Sequence, residues 1–413
     1  MKPLATAVLL VIGVLGSIIY DVERGDINFP YPSHIAYTYG SISPTSNTQE
    51  EKDKIVSDYY DIWKKNYLIK ETNSTLPLYR IATDINNITR TVSEAQGYGM
   101  IITAIMAGYD KDAKEIFDGL WRFSRLYPSS ISSDLMAWEI PKKVKNSNSA
   151  FDGDTDMAYA LLIADKQWGS SGDIHYTNEA KKLIEAIYKY TIGKDSKLPL
   201  LGDWEDPYGE KFNQFTPRTS DFMLRNFRSF YAFTKDNRWL EVLEASQLAL
   251  MSFQKYSAPY TGLVSDFIKF DYEKNYFVPT QQHFLETHDN AFYYNACRVP
   301  LRIGMDALLS GDDRSIDIAQ NISSWIINST NGDPTLIKGG YMMDGKVIGN
   351  FFTTAFASPL AVASMLSPKD QIWLNKNYDF IKDRVENYYE DSLNLLSLLV
   401  LSGNFWDSAR IPK

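Results

Sequence analysis

The chain has 413 residues, with 42 Lys+Arg against 51 Asp+Glu, a formal net charge of −9 and a hydrophobic fraction of 44%. The acidic balance excludes a duplex-binding basic stripe, so no nucleic-acid partner is expected, and the hydrophobic fraction excludes a disordered chain. Cys297 is the only cysteine and there are four histidines, which rules out an intrachain disulfide framework and a Cys-rich zinc site and leaves little for metal chemistry.

At the N-terminus, Lys2 precedes an apolar run from Leu4 to Tyr20. Residues 1–25 therefore read as a secretion signal peptide or an uncleaved membrane anchor, and the remainder is expected outside the cell. Residues 26–47, rich in Pro, Ser, Tyr and Thr, read as a linker. From residue 48 the apolar spacing becomes helical. Ile55, Tyr59, Ile62, Trp63 and Tyr67 fall on one stripe of a helix at 48–67. Ser93 with Gln96 reads as a capping box opening a helix at 93–107. Ile116, Leu120, Phe123 and Leu126 mark 111–126. Further helices are predicted at 154–166, 177–191, 220–234, 237–254, 292–309, 314–328, 351–365, 369–388 and 390–401. Ser367 with Asp370 caps one, with Pro368 in its first turn, and Ser392 starts the last. Twelve helices with many short connections suit a helical-hairpin barrel or an irregular bundle. Two long polar segments, 129–153 and 255–291, break the pattern, and loops of that length inside a domain are usually functional.

Three acidic clusters stand out. Glu94 occupies a helical first turn in Ser93-Glu94-Ala95-Gln96-Gly97-Tyr98-Gly99-Met100, where the helix dipole favours a carboxylate. Gly97 and Gly99 each cost a helix about 1 kcal/mol against Ala, which points to close approach by something bulky. In Asp152-Gly153-Asp154-Thr155-Asp156 the downstream Glu of a calcium loop is missing. Asp154 and Asp156 suit a cap and first turn, while Asp152 is expected just outside the helix, free to point into a cavity. The third cluster is Phe284-Leu285-Glu286-Thr287-His288-Asp289, followed by Tyr293-Tyr294-Asn295-Ala296-Cys297-Arg298-Val299-Pro300. The spacing of His283, Glu286 and His288 fits no metal site well. Arg298 and Arg302, one turn apart near Asp306, read as an ion-pair face. Carboxylates on separate segments with aromatic rings between them fit glycoside hydrolysis, in which one acid protonates the leaving oxygen and a second carboxylate activates water.

These segments resemble glycoside hydrolase family 8. The likeness runs from about residue 90 to the C-terminus through the Glu94 motif, Leu135-Met136-Ala137-Trp138, Ala150-Phe151-Asp152-Gly153-Asp154-Thr155-Asp156, Ser220-Asp221-Phe222-Met223, Thr261-Gly262-Leu263-Val264, the Asn295–Pro300 motif and Leu401-Ser402-Gly403-Asn404-Phe405-Trp406. Phe151 departs from the Ser or Thr usual beside the key aspartate. The resemblance implies an all-α, six-hairpin (α/α)6 barrel over residues 48–413, monomeric and without metal or cofactor. It also implies inverting, endo-acting cleavage of a β-linked polysaccharide. Glu94 matches the general acid and Asp152 the aspartate that holds the distorted sugar. The usual base position holds Asn295. A branch of the family that includes chitosanases and mixed-linkage glucanases shares this Asn and takes its base from a Glu in the preceding loop. That assigns Glu286 as base, with Asp289 as the alternative. Asn295, Arg298 and Asp289 are expected to bind substrate, and Tyr98, Trp138 and Trp204 to stack on sugar faces. The implied substrate is the β-1,4-linked backbone of a glucan or chitosan. Asp134, Glu139, Asp203 and Glu205 are available to a cationic chitosan. The competing reading is a membrane-tethered, non-catalytic sugar-binding protein on the same scaffold, its base lost at Asn295. The position of Glu286 relative to Glu94 discriminates the two.

Overall fold

The computed structural model describes residues 27–72, 74–141 and 147–409, so the expected leader at 1–25 lies outside the described residues. Twelve α-helices follow one another: α1 (Gln49–Tyr67), α2 (Ser93–Ile105), α3 (Ala113–Arg125), α4 (Phe151–Trp168), α5 (Tyr176–Thr191), α6 (Leu224–Thr234), α7 (Arg238–Tyr256), α8 (Val299–Ser310), α9 (Asp313–Ser329), α10 (Thr354–Ser364), α11 (Gln371–Ile381) and α12 (Tyr388–Leu401). The even-numbered helices pack side by side in sequence, and α12 returns to α2, closing an inner ring. The odd-numbered helices pack against it from outside. This is an (α/α)6 barrel. Three short antiparallel ribbons, β1 (Leu68–Lys70) with β2 (Tyr79–Ile81), β3 (Thr91–Val92) with β4 (Glu139–Ile140), and β5 (Ile268–Asp271) with β6 (Tyr276–Pro279), decorate the connections.

Composition sorts the two rings. Helix α10 buries every residue, and α12 all but Tyr389, because neighbours surround them. Helix α3 buries Ile116, Phe117, Leu120, Trp121 and Phe123 on one face and keeps Lys114 and Arg122 outside that core. Each such large apolar side chain contributes about 1.5–3 kcal/mol on full burial. Among the described residues no helix is long and apolar enough to cross a membrane.

Several local expectations are revised. No capping box forms at Ser93. The N-cap is Val92, and Gln96 instead accepts from Ile81 N (2.8 Å) and donates to Leu120 O (3.0 Å), tying α2 to β2 and α3. Helix α4 begins at Phe151, so Asp152 lies inside its first turn and not before it. Ser392 sits within α12, where it accepts from Trp63 Nε1 (2.9 Å). Pro368 opens a short 3-10 turn ahead of α11, without a side-chain cap from Ser367.

The bulky neighbours of the two glycines are protein. A Cβ on Gly97 would stand 2.7 Å from Asp156 Cβ on α4, and one on Gly99 would stand 2.6 Å from Ile81 Cγ1.

The stretch expected to be a linker is bound to the barrel. Tyr31 N donates to Ala107 O (2.7 Å), Ile35 N to Gly403 O (2.8 Å), Thr38 N to Leu308 O (2.8 Å) and Ile42 N to Met365 O (2.8 Å). These carbonyls lie at the C-terminal ends of α2, α12, α8 and α10, where helices leave acceptors unsatisfied. Residues 27–47 supply the missing donors and strap that end of the barrel.

Candidate active site

At the opposite end, the first turns of α2, α4 and α12 and the turn before α8 meet around a cleft of about 400 Å³. Its lining includes Glu94, Asp152, Arg218, Glu286, Asn295 and Arg298. Helix N-termini carry partial positive charge, so carboxylates gathered there are stabilised.

Arg298 organises the floor. Its Nη1 donates to Glu94 Oε2 (2.5 Å) and Asp152 Oδ2 (2.8 Å). Its Nη2 donates to Ser220 Oγ (2.8 Å) and Asn295 Oδ1 (3.0 Å). Arg218 Nη2 also approaches Asp152 Oδ2 (3.1 Å). Burial opposes the charge on Asp152, but Arg218 and Arg298 overcome it and hold the carboxyl well below the usual range. Glu94 is shifted the other way. Burial pushes it up, Arg298 pulls against that, and the charge of Asp152 pushes it up again, leaving the group raised. Tyr388 OH donates weakly to Glu94 Oε1 (3.4 Å). Two neighbouring carboxyls thus differ in proton affinity because one has two guanidinium partners and the other shares one.

Glu286 occupies the water-accessible side. It is exposed on the loop after β6, and its Oε2 accepts from Asn295 Nδ2 (3.3 Å). Asp289, the alternative base, is fully buried and does not line the cleft. Its Oδ2 accepts from Leu285 N and Glu286 N (both 2.8 Å), so it anchors the loop that presents Glu286.

Residues 28–403 match Glycosyl hydrolases family 8. The chain belongs to that family. This family 8 glycoside hydrolase is 40% identical over 384 residues to the beta-glucanase of Niallia circulans, covering 92% of this chain and 91% of the relative. It is 39% identical over 388 residues to the endoglucanase of Bacillus sp. (strain KSM-330), covering 91% and 81%. The solved apo structure of the beta-1,3-1,4-glucanase from Paenibacillus sp. X4 matches with a TM-score of 0.87 at 39% identity, over 92% of this chain and 99% of that one.

Not every expected sugar contact of the family 8 enzyme lies in the cleft. Trp138 lines it with 40% of its surface exposed. Tyr98 does not: it is fully buried, with the Arg302 guanidinium 5.6 Å from its ring centroid, because α2 turns that face toward the barrel interior. Trp204 also lies outside the cleft lining, edge-on to Phe212 (5.5 Å). The expected Arg298–Arg302–Asp306 face is divided, since Arg302 pairs with Asp156 (2.6 Å) and Asp306 with Arg228 (2.8 Å). Asp203 is buried and accepts from Ser149 N (2.8 Å), and buried Glu205 accepts from Leu201 N (2.6 Å), so neither faces the cleft. Among the described residues no group of His, Cys, Asp and Glu has the arrangement of a metal site.

Three participants escaped the sequence reading. Arg218 belongs to a polar loop and gains meaning only through Asp152 and Asp221 (Nε to Oδ1, 3.0 Å). Burial pushes Asp221 up to about 7 against the pull of Arg218. Asp266 accepts from Tyr293 N (2.9 Å), Asn295 N (3.0 Å) and Ala296 N (2.7 Å), fixing the turn that carries Asn295. Burial outweighs those bonds and pushes it up to about 7. Tyr388 opens α12, although the sequence pattern ran the preceding helix to 388. The motif Ser220-Asp221 was the nearest signal for Arg218; Asp266 and Tyr388 had none.

Proposed function

We propose that this protein is an inverting, endo-acting β-glucanase that cleaves the β-1,4-linked backbone of a glucan, mixed-linkage β-1,3-1,4-glucan included. The observation that carries the reading is Glu94 and Glu286 lining one cleft, one half-buried with raised proton affinity and the other on an exposed loop. Glu94 donates its proton to the departing glycosidic oxygen. Glu286 takes a proton from the water that attacks the anomeric carbon from the opposite face. Such a pair needs a separation of roughly 6.5–9.5 Å to admit that water. Asp152, held ionised, accepts hydroxyl hydrogen bonds from the sugar at the cleavage point and favours its distorted form. After turnover Glu94 is ionised and Glu286 protonated, and exchange with solvent resets both.

Glucan is favoured over chitosan by charge. With Glu94 protonated, Asp152 and Glu286 are outnumbered in the lining by Arg90, Arg218 and Arg298, which suits a neutral chain better than a polycation. The names of the relatives at about 40% identity support the same choice. Glu286 beside Asn295 argues against a lost base, and so against the non-catalytic reading. Lys2 and the apolar run after it support export, as a secreted or membrane-tethered monomer.

The test is chemical rescue. Glu286→Ala should lose about 10²–10⁴-fold in turnover of glucan, the usual worth of a general base. Azide needs no deprotonation and should restore cleavage, releasing the α-glycosyl azide. A β-configured first product, or near-normal hydrolysis by the variant, overturns the reading.

A further inference from the structure

A second groove, of about 790 Å³, lies on the barrel's outer wall between α7 and α9 and shares no residue with the catalytic cleft. Three aromatic side chains border it. Tyr256, 51% exposed at the end of α7, stacks nearly parallel on Tyr276 of β6, with centroids 4.9 Å apart and planes at 22°. Trp325 of α9 is braced edge-on by Tyr341 (5.3 Å). Tyr260, on the turn after α7, is 92% exposed.

The mount of Tyr260 is rigid. Gly262 in the same turn has φ +62°, and a Cβ there would stand 2.7 Å from Asn321 Cβ on α9. Gln254 Nε2 donates to Gly262 O (2.7 Å) and Ile318 O (3.0 Å), and Asn321 Nδ2 donates to Gln254 Oε1 (3.1 Å). A large exposed ring on an anchored turn, beside two others, forms an exposed apolar patch, and such patches mark binding surfaces. The rest of the lining is neutral hydrogen-bonding groups, Ser252, Ser324 and Asn328 among them, with Lys255 and Asp317 cancelling in charge.

We propose that this groove is a second, non-catalytic binding site for the polysaccharide chain that the cleft cleaves. A β-linked pyranose offers flat C–H faces and a rim of hydroxyls. The faces match the three rings, the rim matches amides and hydroxyls, and the absence of net charge selects a neutral polymer over an ionic one. The choice of glucan as that polymer rests on the proposed function. Two sites on one rigid barrel make polymer binding bivalent, while a short oligosaccharide engages the cleft alone.

The experiment uses the full chain carrying Glu94→Gln, so that polymer is not consumed, in native gels containing barley mixed-linkage β-glucan or xylan. Adding Tyr260→Ala, or Tyr256→Ala with Tyr260→Ala, should weaken retention by β-glucan by about tenfold, the usual loss at an aromatic anchor. In the otherwise unaltered enzyme the same substitutions should leave hydrolysis of cellopentaose unchanged and raise KM, not lower kcat, on the polymer. The single Tyr260→Ala variant removes a solvent-exposed ring and keeps the test independent of folding. Equal retention with and without Tyr260 overturns the proposal. So does loss of retention on xylan alone, or a change from dimer to monomer on substitution, which would make the face a contact between copies. Failure of the functional reading is separate: it would show as no reducing ends released from β-glucan by the unaltered protein.

Discussion

Asn295 Nδ2 stands 3.3 Å from Glu286 Oε2, and the same nitrogen stands 3.2 Å from Asp266 Oδ2. The amide is thus a neutral donor between two acids, and its Oδ1 accepts from Arg298 (3.0 Å). A carboxylate at this position could keep the contact with Arg298 but could not donate to either acid. Asn295→Asp is therefore expected to lower turnover, although it places a carboxylate at the position where the family resemblance leads one to expect the base. Loss of a charge-assisted hydrogen bond of about 1.5–3 kcal/mol corresponds to roughly tenfold or more in kcat. Steady-state kinetics on β-glucan check this; activity equal to or above the parent would mean the inserted carboxylate works as the base.

Glu94 and Asp152 share Arg298 Nη1, so their charges are linked. Glu94→Gln should cost about 10²–10⁴-fold on unactivated glucan and much less on aryl glycosides with good leaving groups. The pH profile gives a second readout. The acid must be protonated, so the alkaline limb of kcat/KM follows Glu94. Asp152→Asn removes a negative charge that raises Glu94 and leaves Arg298, Arg218 and Arg302 to lower it. The alkaline limb should move to lower pH, and a shift to higher pH would contradict the assignment.

Asp289 is expected to act through position alone. Asp289→Ala removes the acceptor for Leu285 N and Glu286 N, at a cost of about 1–3 kcal/mol in stability. Activity should fall because Glu286 is displaced, and azide should not rescue it as it rescues Glu286→Ala. Asparagine, which keeps one acceptor, should recover part of the loss. Rescue of Asp289→Ala by azide would transfer the base role to Asp289.

Asp154 predicts a pH dependence of stability. It is fully buried, accepts from Met136 N (2.9 Å), and has no hydrogen-bond partner at Oδ2 among the described residues. Burial pushes its pKa up to about 8 from an ordinary 3.8, with Arg125 and the Met136 N–H pulling against the shift. The folded protein keeps this proton where the unfolded chain has lost it, so stability from this group falls as pH rises through that window and is level beyond it. Asp154→Asn imitates the protonated form and retains the bond from Met136 N. Melting temperatures at roughly pH 5 and pH 8 should show the variant gaining on the parent as pH rises. A gap that is constant or shrinks would mean the carboxyl ionises normally.

Helix periodicity is a local property, so all twelve helices and their order were legible in the sequence; most ends agree within a few residues, but α8 starts at Val299 and not 292, and α11 ends at Ile381 and not 388. The acids Glu94 and Asp152 were legible for the same reason, because each sits in a short motif at a helix start. The partners that set their chemistry were not. Arg298 reaches Glu94 across 204 residues of chain and Asp152 across 146, distances that only closure of the inner ring brings together. The strap at 27–47 looked like a linker because its binding is through backbone N–H groups, which every sequence has. Glu286 and Asp289 are three residues apart and chemically alike. The tertiary structure separates them: Asp289 turns inward to two backbone N–H groups, which leaves Glu286 lining the cleft.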